Sequence, residues 1–353
     1  MGTRVPVIAL TGYLGAGKTT VLNHLLRAPG ARIGVVVNDF GAINVDAALI
    51  TGQVDEPAAI TGGCVCCVPD TDGLDDALEK LTQPRLRLDA VLVEASGVAD
   101  PPALARLIQF SGVRRMRPGG LVDVIDAGAY FDTVDTGGPP PARFAAASLV
   151  VINKTDLIPA ALRADTVARI ADRVHEANPR AHLVDTSHGR VDPALVFDAA
   201  STHDPVDELP FAAAAREDLG VQDLVARSPG SRGPGAQHHR HVRAVTVPAT
   251  GLVDPGPLVD LLEDPPAGAY RLKGTVTVDT GRGPRGFVVN IVGPQIHVAA
   301  RPAAGGPDGL VAIGLHLDQV AARARLEAAL RPCGGRPAAD GVRRLTRYRR
   351  LSG

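Results

Sequence analysis

The chain has 353 residues, which is long enough for two domains that each have a core of their own. Apolar residues make up 45% of the chain and aromatic residues only 3%, which indicates a soluble α/β protein packed with Ala, Val and Leu. The formal net charge of −1 provides no bulk attraction to nucleic acid or to an anionic membrane, so neither partner is expected.

The amino terminus does not have the pattern of a secretory signal peptide, because its only apolar stretch, residues 5–10, is short and leads into a glycine-rich loop. No apolar run has the length of a transmembrane helix. Three of the four cysteines lie within four residues of each other, at Cys64, Cys66 and Cys67. This spacing is poor for structural disulfides, so we expect a cytoplasmic protein whose cysteines serve metal or redox chemistry.

The first half of the chain alternates short apolar runs with helical segments, the pattern of a parallel sheet with crossover helices. Strands are expected at residues 5–10, 33–38, 90–94, 120–126, 148–153 and 181–185, and helices at 18–27, 70–81, 102–110 and 160–177. A loop rich in Gly and Pro at residues 136–141 interrupts this domain. The predicted fold class is therefore α/β, with a P-loop NTPase sheet that is mostly parallel and flanked by helices.

A smaller α+β domain is predicted after a linker rich in Ser, Gly, Pro and Arg at residues 228–237. Its strands are expected at 241–247, 270–278, 286–292 and 311–316, with helices near 257–263 and at 318–330. The predicted domain organisation is 1–205, a linker at 206–240, a carboxy-terminal domain at 241–331 and a basic tail at 332–353. We predict that this tail is mobile, and a docked helix is the alternative.

Residues 12–20, directly after the first predicted strand, have the sequence GYLGAGKTT and match the pattern G-x-x-x-x-G-K-[ST]. Glycines let backbone N–H groups converge on phosphate oxygens, and the amino terminus of the following helix adds partial positive charge. Lys18 should reach the β and γ phosphates, and the Thr19 hydroxyl should bind Mg²⁺. The predicted phosphate-binding residues are Gly12, Gly15, Ala16, Gly17, Lys18, Thr19 and Thr20.

The segment 153–156, NKTD, follows another apolar strand and matches the N-K-x-D guanine motif. The Asp156 carboxylate can accept hydrogen bonds from guanine N1–H and from its exocyclic amine, which adenine does not offer, so GTP is favoured over ATP. Asn153 would tie the base to the P-loop, and the stem of Lys154 would lie along the face of the base. Thr186 and Ser187, after the next strand, are weaker candidates for closing the base pocket.

Acidic residues at two further strand ends complete the predicted nucleotide site. Glu94 is followed by Ala-Ser-Gly97, where an acid that coordinates Mg²⁺ or orders water belongs and where the Gly97 N–H could face the γ phosphate. Asp46 lies beyond the polar segment NDFG at 38–41 and could face the attacking water. Lys18, Glu94 and Asp46 are thus the catalytic candidates. No catalytic Gln or arginine finger is evident, so intrinsic hydrolysis should be slow.

The segment 62–67, GGCVCC, lies between these two predicted nucleotide-sensing loops. Cys64, Cys66 and Cys67 can face one soft metal ion such as Zn²⁺ or Co²⁺, with Asp39, a histidine, water or a client group as the fourth ligand. Metal ligation at this position should be coupled to the nucleotide state, because binding of each ligand alters the affinity for the other. A second cluster, His238, His239 and His241, has two readings, a further metal site or solvated histidines near the linker.

Taken together, GYLGAGKTT, NDFG with a later Asp, GGCVCC, EASGVADP and NKTDL resemble the CobW-type metallochaperone GTPases of the SIMIBI group. The resemblance continues into the carboxy-terminal domain with RLKG at 271–274 and IG at 313–314. It implies binding of GTP or GDP with Mg²⁺, low GTPase activity, and Zn²⁺, Co²⁺ or a related metal on the C-x-C-C cysteines. Two positions depart from the family pattern: Asp39 replaces the usual Glu, and EASG replaces the usual ETTG.

Three hypotheses follow from these motifs and from the resemblance. In the first, the protein is a GTP-dependent zinc metallochaperone that delivers the ion to a client apo-enzyme. In the second, it inserts cobalt or iron into one enzyme, as in cobalamin synthesis or nitrile hydratase maturation. In the third, it is a metal-binding regulator that senses GTP without hydrolysing it. A homodimer is compatible with all three.

Overall fold

The computed structural model describes residues 4–28, 31–37, 58–59, 72–97, 100–197, 242–293, 295–303, 308–334 and 338–351. These residues belong to two compact units, one formed by residues 1–200 with 292–295 and the other by residues 201–291 with 296–353. The predicted domain boundaries at 205 and 240 lie outside the described residues and stay predictions. No helix within the described part of the chain is both long enough and apolar enough to cross a membrane.

The first unit is built on a parallel sheet in which seven described strands pair in the order β3-β2-β4-β1-β5-β6-β7. The strands are β1 (Val5–Gly12), β2 (Ile33–Val37), β3 (Ala58–Ala59), β4 (Ala90–Glu94), β5 (Met116–Asp126), β6 (Leu149–Asn153) and β7 (His182–Asp185). All residues of β2, β4 and β6 are buried, as expected for strands covered by helices on both faces.

Six described helices accompany this sheet: α1 (Lys18–Leu26), α2 (Asp72–Leu81), α3 (Pro101–Gln109), α4 (Tyr130–Thr133), α5 (Ala160–Ala177) and α6 (Pro193–Val196). A proline occupies the first turn of α3 and of α6, where its missing N–H costs nothing and its fixed φ favours the helix. One hydrophobic cluster joins strands and helices, with Leu78, Leu104 and Ile170 packed against Val93 and Ile152. The predicted α/β class is confirmed.

The carboxyl ends of the parallel strands share one edge of the sheet, and three of them carry the predicted motifs. Strand β1 ends at Gly12, β4 at Glu94 and β6 at Asn153. From β1 the chain crosses to β2 on one side, whereas β5 and β6 lie on the other side, so the strand order reverses next to β1. In open α/β sheets such a reversal creates a crevice where ligands bind.

The second unit contains a five-stranded sheet with the order β11-β10-β9-β12-β8, in which β12 runs antiparallel to β8 and to β9. Its strands are β8 (Arg243–Pro248), β9 (Arg271–Asp279), β10 (Pro284–Val292), β11 (Gln295–Arg301) and β12 (Gly309–Gly314), and its helices are α7 (Pro255–Glu263), α8 (Gln319–Ala329) and α9 (Ala339–Leu351). Alternate residues of β9, including Leu272 and Val276, pack with Leu258 of α7 and Leu326 of α8 in one core. The sequence did not predict β11.

The prediction of a mobile tail at residues 332–353 is wrong over Ala339–Leu351, where the chain forms helix α9. Gly341, Leu345 and Tyr348 recur at helical spacing, and the buried Leu345 joins the core of the second unit. A Cβ atom on Gly341 would lie 2.6 Å from the backbone nitrogen of Gly256, so only glycine allows this close approach to α7. The docked-helix alternative therefore describes this segment.

Ion pairs also fix α9 against α7 in the second unit. The Arg344 guanidinium bonds to the Asp260 carboxylate at 2.8 Å and also to Glu263, which accepts a further hydrogen bond from the Tyr348 hydroxyl at 3.0 Å. These two carboxylates raise the pKa of Arg344 above its ordinary value. The many arginines of this segment favoured the prediction of a mobile tail, but one of them, Arg344, anchors the helix.

Leu345→Ala tests whether α9 is part of the folded core. The substitution should lower the free energy of unfolding by about 2–5 kcal/mol, since it removes buried side-chain volume and leaves a cavity. Leu351→Ala on the same helix is the control, because Leu351 is 68% exposed and should change stability by less than about 0.5 kcal/mol. Urea unfolding measures both, and similar small effects would instead support a mobile tail.

Candidate nucleotide and metal site

The loop after β1 has the backbone conformation of a phosphate-binding loop. Gly12, Gly15 and Gly17 have φ angles of 151°, 78° and 98°, a region that disfavours other residues. Gly17 is the N-cap of α1 and provides no side-chain cap, so the first amides of this helix point into the loop without a side-chain acceptor from the N-cap. The sequence GYLGAGKTT thus forms a nest of N–H groups suited to an anion.

Lys18 lies within this loop and is 9% exposed. Its ammonium donates hydrogen bonds to the carbonyl oxygens of Gly12 at 3.1 Å and Tyr13 at 3.3 Å. A buried ammonium needs such acceptors, because desolvation disfavours the charged form. The contacts hold the positive charge over the loop, where a phosphate chain would lie.

Thr19 and Glu94 meet although they are 75 residues apart in sequence. The Thr19 hydroxyl donates to Glu94 Oε1 at 2.9 Å, and Glu94 is 3% exposed. The residue predicted to bind Mg²⁺ through its hydroxyl and the acid predicted at the end of β4 thus form one unit. Because the hydroxyl proton is directed at Glu94, the oxygen lone pairs of Thr19 remain available to a cation.

Gly97, also predicted to serve the nucleotide, lies against the P-loop. A Cβ atom added to Gly97 would be 2.9 Å from the backbone N and Cα atoms of Leu14. The backbone after β4 therefore abuts the P-loop backbone directly, with no side chain between them.

Asn153 connects three segments of the predicted nucleotide site. Its amide nitrogen donates to the Ala16 carbonyl of the P-loop at 3.0 Å, and its amide oxygen accepts from the Gly189 N–H after β7 at 3.0 Å. A Cβ atom on Gly17 would lie 2.4 Å from this amide nitrogen, so the P-loop needs glycine there. The sequence predicted the link to the P-loop but not the link to Gly189.

Lys154 and Asp156 lie in one turn, and their side chains have different surroundings. Lys154 adopts a left-handed conformation with φ of 61°, and its ammonium forms an ion pair with Asp126 at 2.7 Å. Asp156 Oδ1 is buried and has no hydrogen-bond partner among the described residues, while Oδ2 lies 3.7 Å from His188 Nε2. A buried acceptor of this kind fits a ligand that supplies N–H donors.

The loop after β7 closes the same edge of the sheet. The Thr186 carbonyl accepts from both the backbone N–H and the hydroxyl of Thr155, at 3.2 and 3.1 Å. Ser187 lies 3.4 Å from the Thr155 hydroxyl. His188 has φ of 55°, a strained conformation for a residue with a side chain. Thr186 and Ser187 are thus beside the guanine motif, and the sequence analysis missed Asp126, His188 and Gly189.

His24 of α1 also contacts this region, through its Nε2 atom at 3.1 Å from the Val191 carbonyl oxygen. Burial lowers the pKa of His24 below its ordinary value, the Val191 carbonyl opposes that shift, and the positive charge of Arg190 adds to it. The folded protein therefore favours neutral His24, which makes stability sensitive to acid.

The predicted transition-metal site and part of the catalytic set lie outside the described residues. They are Asp39, Asp46, Cys64, Cys66 and Cys67, together with the cluster His238, His239 and His241. Within the described ranges, no three His, Cys, Asp or Glu side chains come together in a way that could hold a metal ion. The metal ligands therefore stay predictions.

The parallel sheet and the glycine loop at its carboxyl edge define a P-loop nucleotide-binding protein. The family model for the "CobW/HypB/UreG, nucleotide-binding domain" matches residues 6–185. The model for the "Cobalamin synthesis protein cobW C-terminal domain" matches residues 242–330. The chain belongs to the CobW/HypB/UreG family, and the predicted resemblance is confirmed.

Curated relatives are named as zinc chaperones. The chain is 28% identical to "Zinc chaperone CobW" from Sinorhizobium sp over 92% of this chain and 97% of the relative. It is 30% identical to "Zinc chaperone YjiA" from Escherichia coli over 55% of this chain and 61% of the relative. Among solved structures, Zn(II)-bound YjiA GTPase from E. coli is similar at 21% identity and a TM-score of 0.41, covering 94% of this chain and 100% of that one.

The lowered pKa of His24 predicts a stability that depends on pH. An unfolded histidine titrates near 6.5, and the folded pKa is lower, so the contribution is full above pH 6.5 and is lost as pH falls through the folded pKa. Urea unfolding at several pH values between 7.5 and 5 should show this loss in the wild type. The loss should be smaller in His24→Asn, and parallel pH profiles for the two proteins would contradict the assignment.

Proposed function

We propose that this protein binds and hydrolyses GTP and couples the nucleotide state to a transition metal ion, most favourably Zn²⁺, that it delivers to a client protein. The observation that carries the nucleotide part is the buried Asp156 Oδ1 atom without a partner among the described residues, on a loop that Asn153 fastens to the P-loop. The names of the relatives, zinc chaperones, support the choice of zinc.

Recognition of guanine would rest on Asp156. Guanine offers N1–H and an exocyclic amine side by side, which matches two oxygens of one carboxylate, whereas adenine offers no such pair. Without the base, Oδ1 is buried and unsatisfied, a cost that a guanine donor would remove. Asn153 and the adjoining loop hold the carboxylate at a fixed position relative to the phosphate site.

The phosphate chain would bind on the amides of Gly15, Ala16, Gly17 and Thr20 and on the Lys18 ammonium. Binding would require Lys18 to exchange its hydrogen bonds with the carbonyls of Gly12 and Tyr13 for bonds with phosphate oxygens. Thr19 would hold Mg²⁺, and the ion, when bound, would neutralise developing phosphate charge. Glu94 accepts a hydrogen bond from the Thr19 hydroxyl and would orient it for that role.

Hydrolysis is proposed to be slow and to depend on Lys18, Glu94 and Asp46. Lys18 and Glu94 would stabilise and orient the reacting groups, and Asp46 would act on the attacking water. The sequence motifs include no catalytic glutamine or arginine finger of the kind that accelerates turnover in fast GTPases, so a switch that remains loaded until a partner arrives is favoured.

Strand geometry supports coupling between the metal cysteines and the nucleotide. Strand β3 runs parallel to β2, so the chain leaves Ala59 at the same edge as the P-loop. β3 lies three strand positions from β1 in the sheet, which is about 14 Å at the usual strand spacing. Five residues lead from Ala59 to Cys64, and five extended residues span up to about 17 Å. A thiolate site within reach of the phosphates is therefore compatible with the chain length.

Under this proposal, Cys64, Cys66 and Cys67, with Asp39 as a further ligand, would hold the ion as cargo. A metal that favours the GTP-bound loop arrangement must strengthen GTP binding by the same factor, and hydrolysis would then release the ion. Co²⁺ fits the same ligand set, so cobalt delivery is the second candidate. We also propose a cytoplasmic location, a client apo-enzyme as partner and the formation of a homodimer.

Asp156→Asn should exchange the nucleotide preference. GTP affinity should fall by about 100-fold or more, because the amide nitrogen of asparagine faces guanine donors, while affinity for xanthosine triphosphate should rise. Calorimetric titration with both nucleotides measures the change. Asp172→Asn on the exposed face of α5 is the matched control and should leave both affinities unchanged. Lys18→Ala should abolish turnover in either background, and retained turnover would show that a contaminant hydrolyses GTP.

Zinc affinity should depend on the nucleotide. Competition with a chelator should show tighter binding of Zn²⁺, by about 5-fold or more, with a non-hydrolysable GTP analogue than with GDP. Cys66→Ser/Cys67→Ser should lose both the binding and its dependence on nucleotide, whereas Cys333→Ser, the cysteine of the second unit, should retain both. Equal affinities in the two nucleotide states would refute the coupling and leave only a metal-binding GTPase.

A further inference from the structure

A buried ion pair lies beneath the P-loop, between strand β5 and the single turn at Ala142–Ala146. Asp123 has no exposed surface. Its two oxygens accept hydrogen bonds from Arg143 Nε at 2.9 Å and Nη2 at 2.8 Å, a bidentate arrangement. Burial alone would lower the pKa of Arg143, but the Asp123 charge raises it above its ordinary value, so the guanidinium stays charged.

The ion pair is connected to the last residue before the P-loop. The Thr11 hydroxyl, 1% exposed, donates to Asp123 Oδ1 at 2.8 Å. The next residue, Gly12, pairs with Val124, and a Cβ atom on Gly12 would lie only 2.5 Å from the Val124 carbonyl oxygen. Two consecutive residues at the start of the P-loop are thus fixed against two consecutive residues of β5.

The Arg143 side chain extends from a rigid support. The neighbouring residue Phe144 is fully buried, and the Asn178 amide donates to the carbonyl oxygens of Phe144 at 3.0 Å and Ala147 at 2.8 Å. The turn that carries Arg143 is therefore held at its centre and at its carboxyl end by Asn178, the residue that follows α5. Because its support is held in place, Arg143 can fix the position of the Asp123 carboxylate.

A gain in folding stability does not explain the presence of this buried ion pair. Removing two charges from water carries a large desolvation cost, and an apolar pair of similar volume often stabilises a fold as well or better. What a bidentate pair does provide is direction, because the planar guanidinium fixes both carboxylate oxygens. One of those oxygens holds Thr11, and the following Gly12 carbonyl accepts from Lys18.

We propose that Asp123 and Arg143 act as positioning residues for the phosphate site, through the Thr11 hydroxyl. The ion pair fixes the position of the carboxyl end of β1 and therefore the position of the Gly12 carbonyl. Because Lys18 donates to that carbonyl, its ammonium is held over the loop. This inference rests on the proposed binding of GTP at the P-loop. Neither side chain needs to touch the nucleotide in this role.

Thr11→Val tests the connection while the ion pair itself stays intact. Valine has the shape of threonine but lacks the hydroxyl, so Asp123 keeps Arg143 and the charge remains compensated. Affinities for GDP and for a non-hydrolysable GTP analogue should fall by about tenfold, the scale of one hydrogen bond to a charged group. Calorimetric titration gives the affinities, and thermal unfolding without nucleotide gives the stability.

Thr82→Val is the matched control in the same unit. Thr82 is 2% exposed and its hydroxyl donates to the Leu78 carbonyl at 2.7 Å, at the end of α2. It should lower the melting temperature to a similar degree but leave both affinities within about twofold of wild type. Equal affinity losses in the two variants, or none in Thr11→Val, would overturn the positioning role.

Arg143→Lys tests the contact between Arg143 and Asp123. Lysine keeps the charge opposite Asp123 but cannot form two parallel hydrogen bonds, so nucleotide affinity should fall by a similar factor to that in Thr11→Val. Wild-type affinity in Arg143→Lys would show that the bidentate geometry has no role. Wild-type protein that folds but binds no guanine nucleotide would refute the proposed function itself, which separates that failure from failure of this inference.

Discussion

The Asn153 side chain is the contact on which the carboxyl edge of the first unit depends. One planar amide accepts from Gly189 and donates to Ala16, so three loops from three strands hold a common geometry. Its nearness to Gly17 explains why the P-loop tolerates no side chain there. Because the amide is 1% exposed, neither bond competes with water. The separation between the phosphate loop and Asp156 is therefore set by the protein before any ligand arrives.

Most of the first unit could be predicted from sequence because strands such as β2, β4 and β6 are buried throughout and appear as continuous apolar runs. β5 begins at Met116, four residues before its predicted start, since Pro118 and two glycines have the composition of a turn. β11 was missed because it is a sheet-edge strand in which polar residues such as Gln295, His297 and Arg301 obscure the alternation. Helix α9 was obscured by arginines, whose pairing with α7 is a tertiary property.

The predicted nucleotide residues in the described part of the chain lie together because each follows a parallel strand, and strand ends share an edge. Residues that act across elements were not predictable. Asp123 lies within an apolar run, and its partner Arg143 follows a loop without periodicity, so no local pattern links them. The left-handed turn at His188 gives no signal either, since it lies beside a hydrogen bond between Gly189 and Asn153, which are far apart in sequence. The cysteine motif remains a sequence prediction, supported by the position of β3.

Direct backbone contact between Gly97 and Leu14 has a consequence for how the nucleotide site communicates. This contact between the Gly97 and Leu14 backbones involves no charged group, so changes in ionic strength or pH should affect it little. If the chain after Glu94 moved toward the P-loop, steric contact between the two backbones would displace the P-loop as well. Under the proposed function, such steric transmission would not depend on the charges of the nucleotide and of the metal ion.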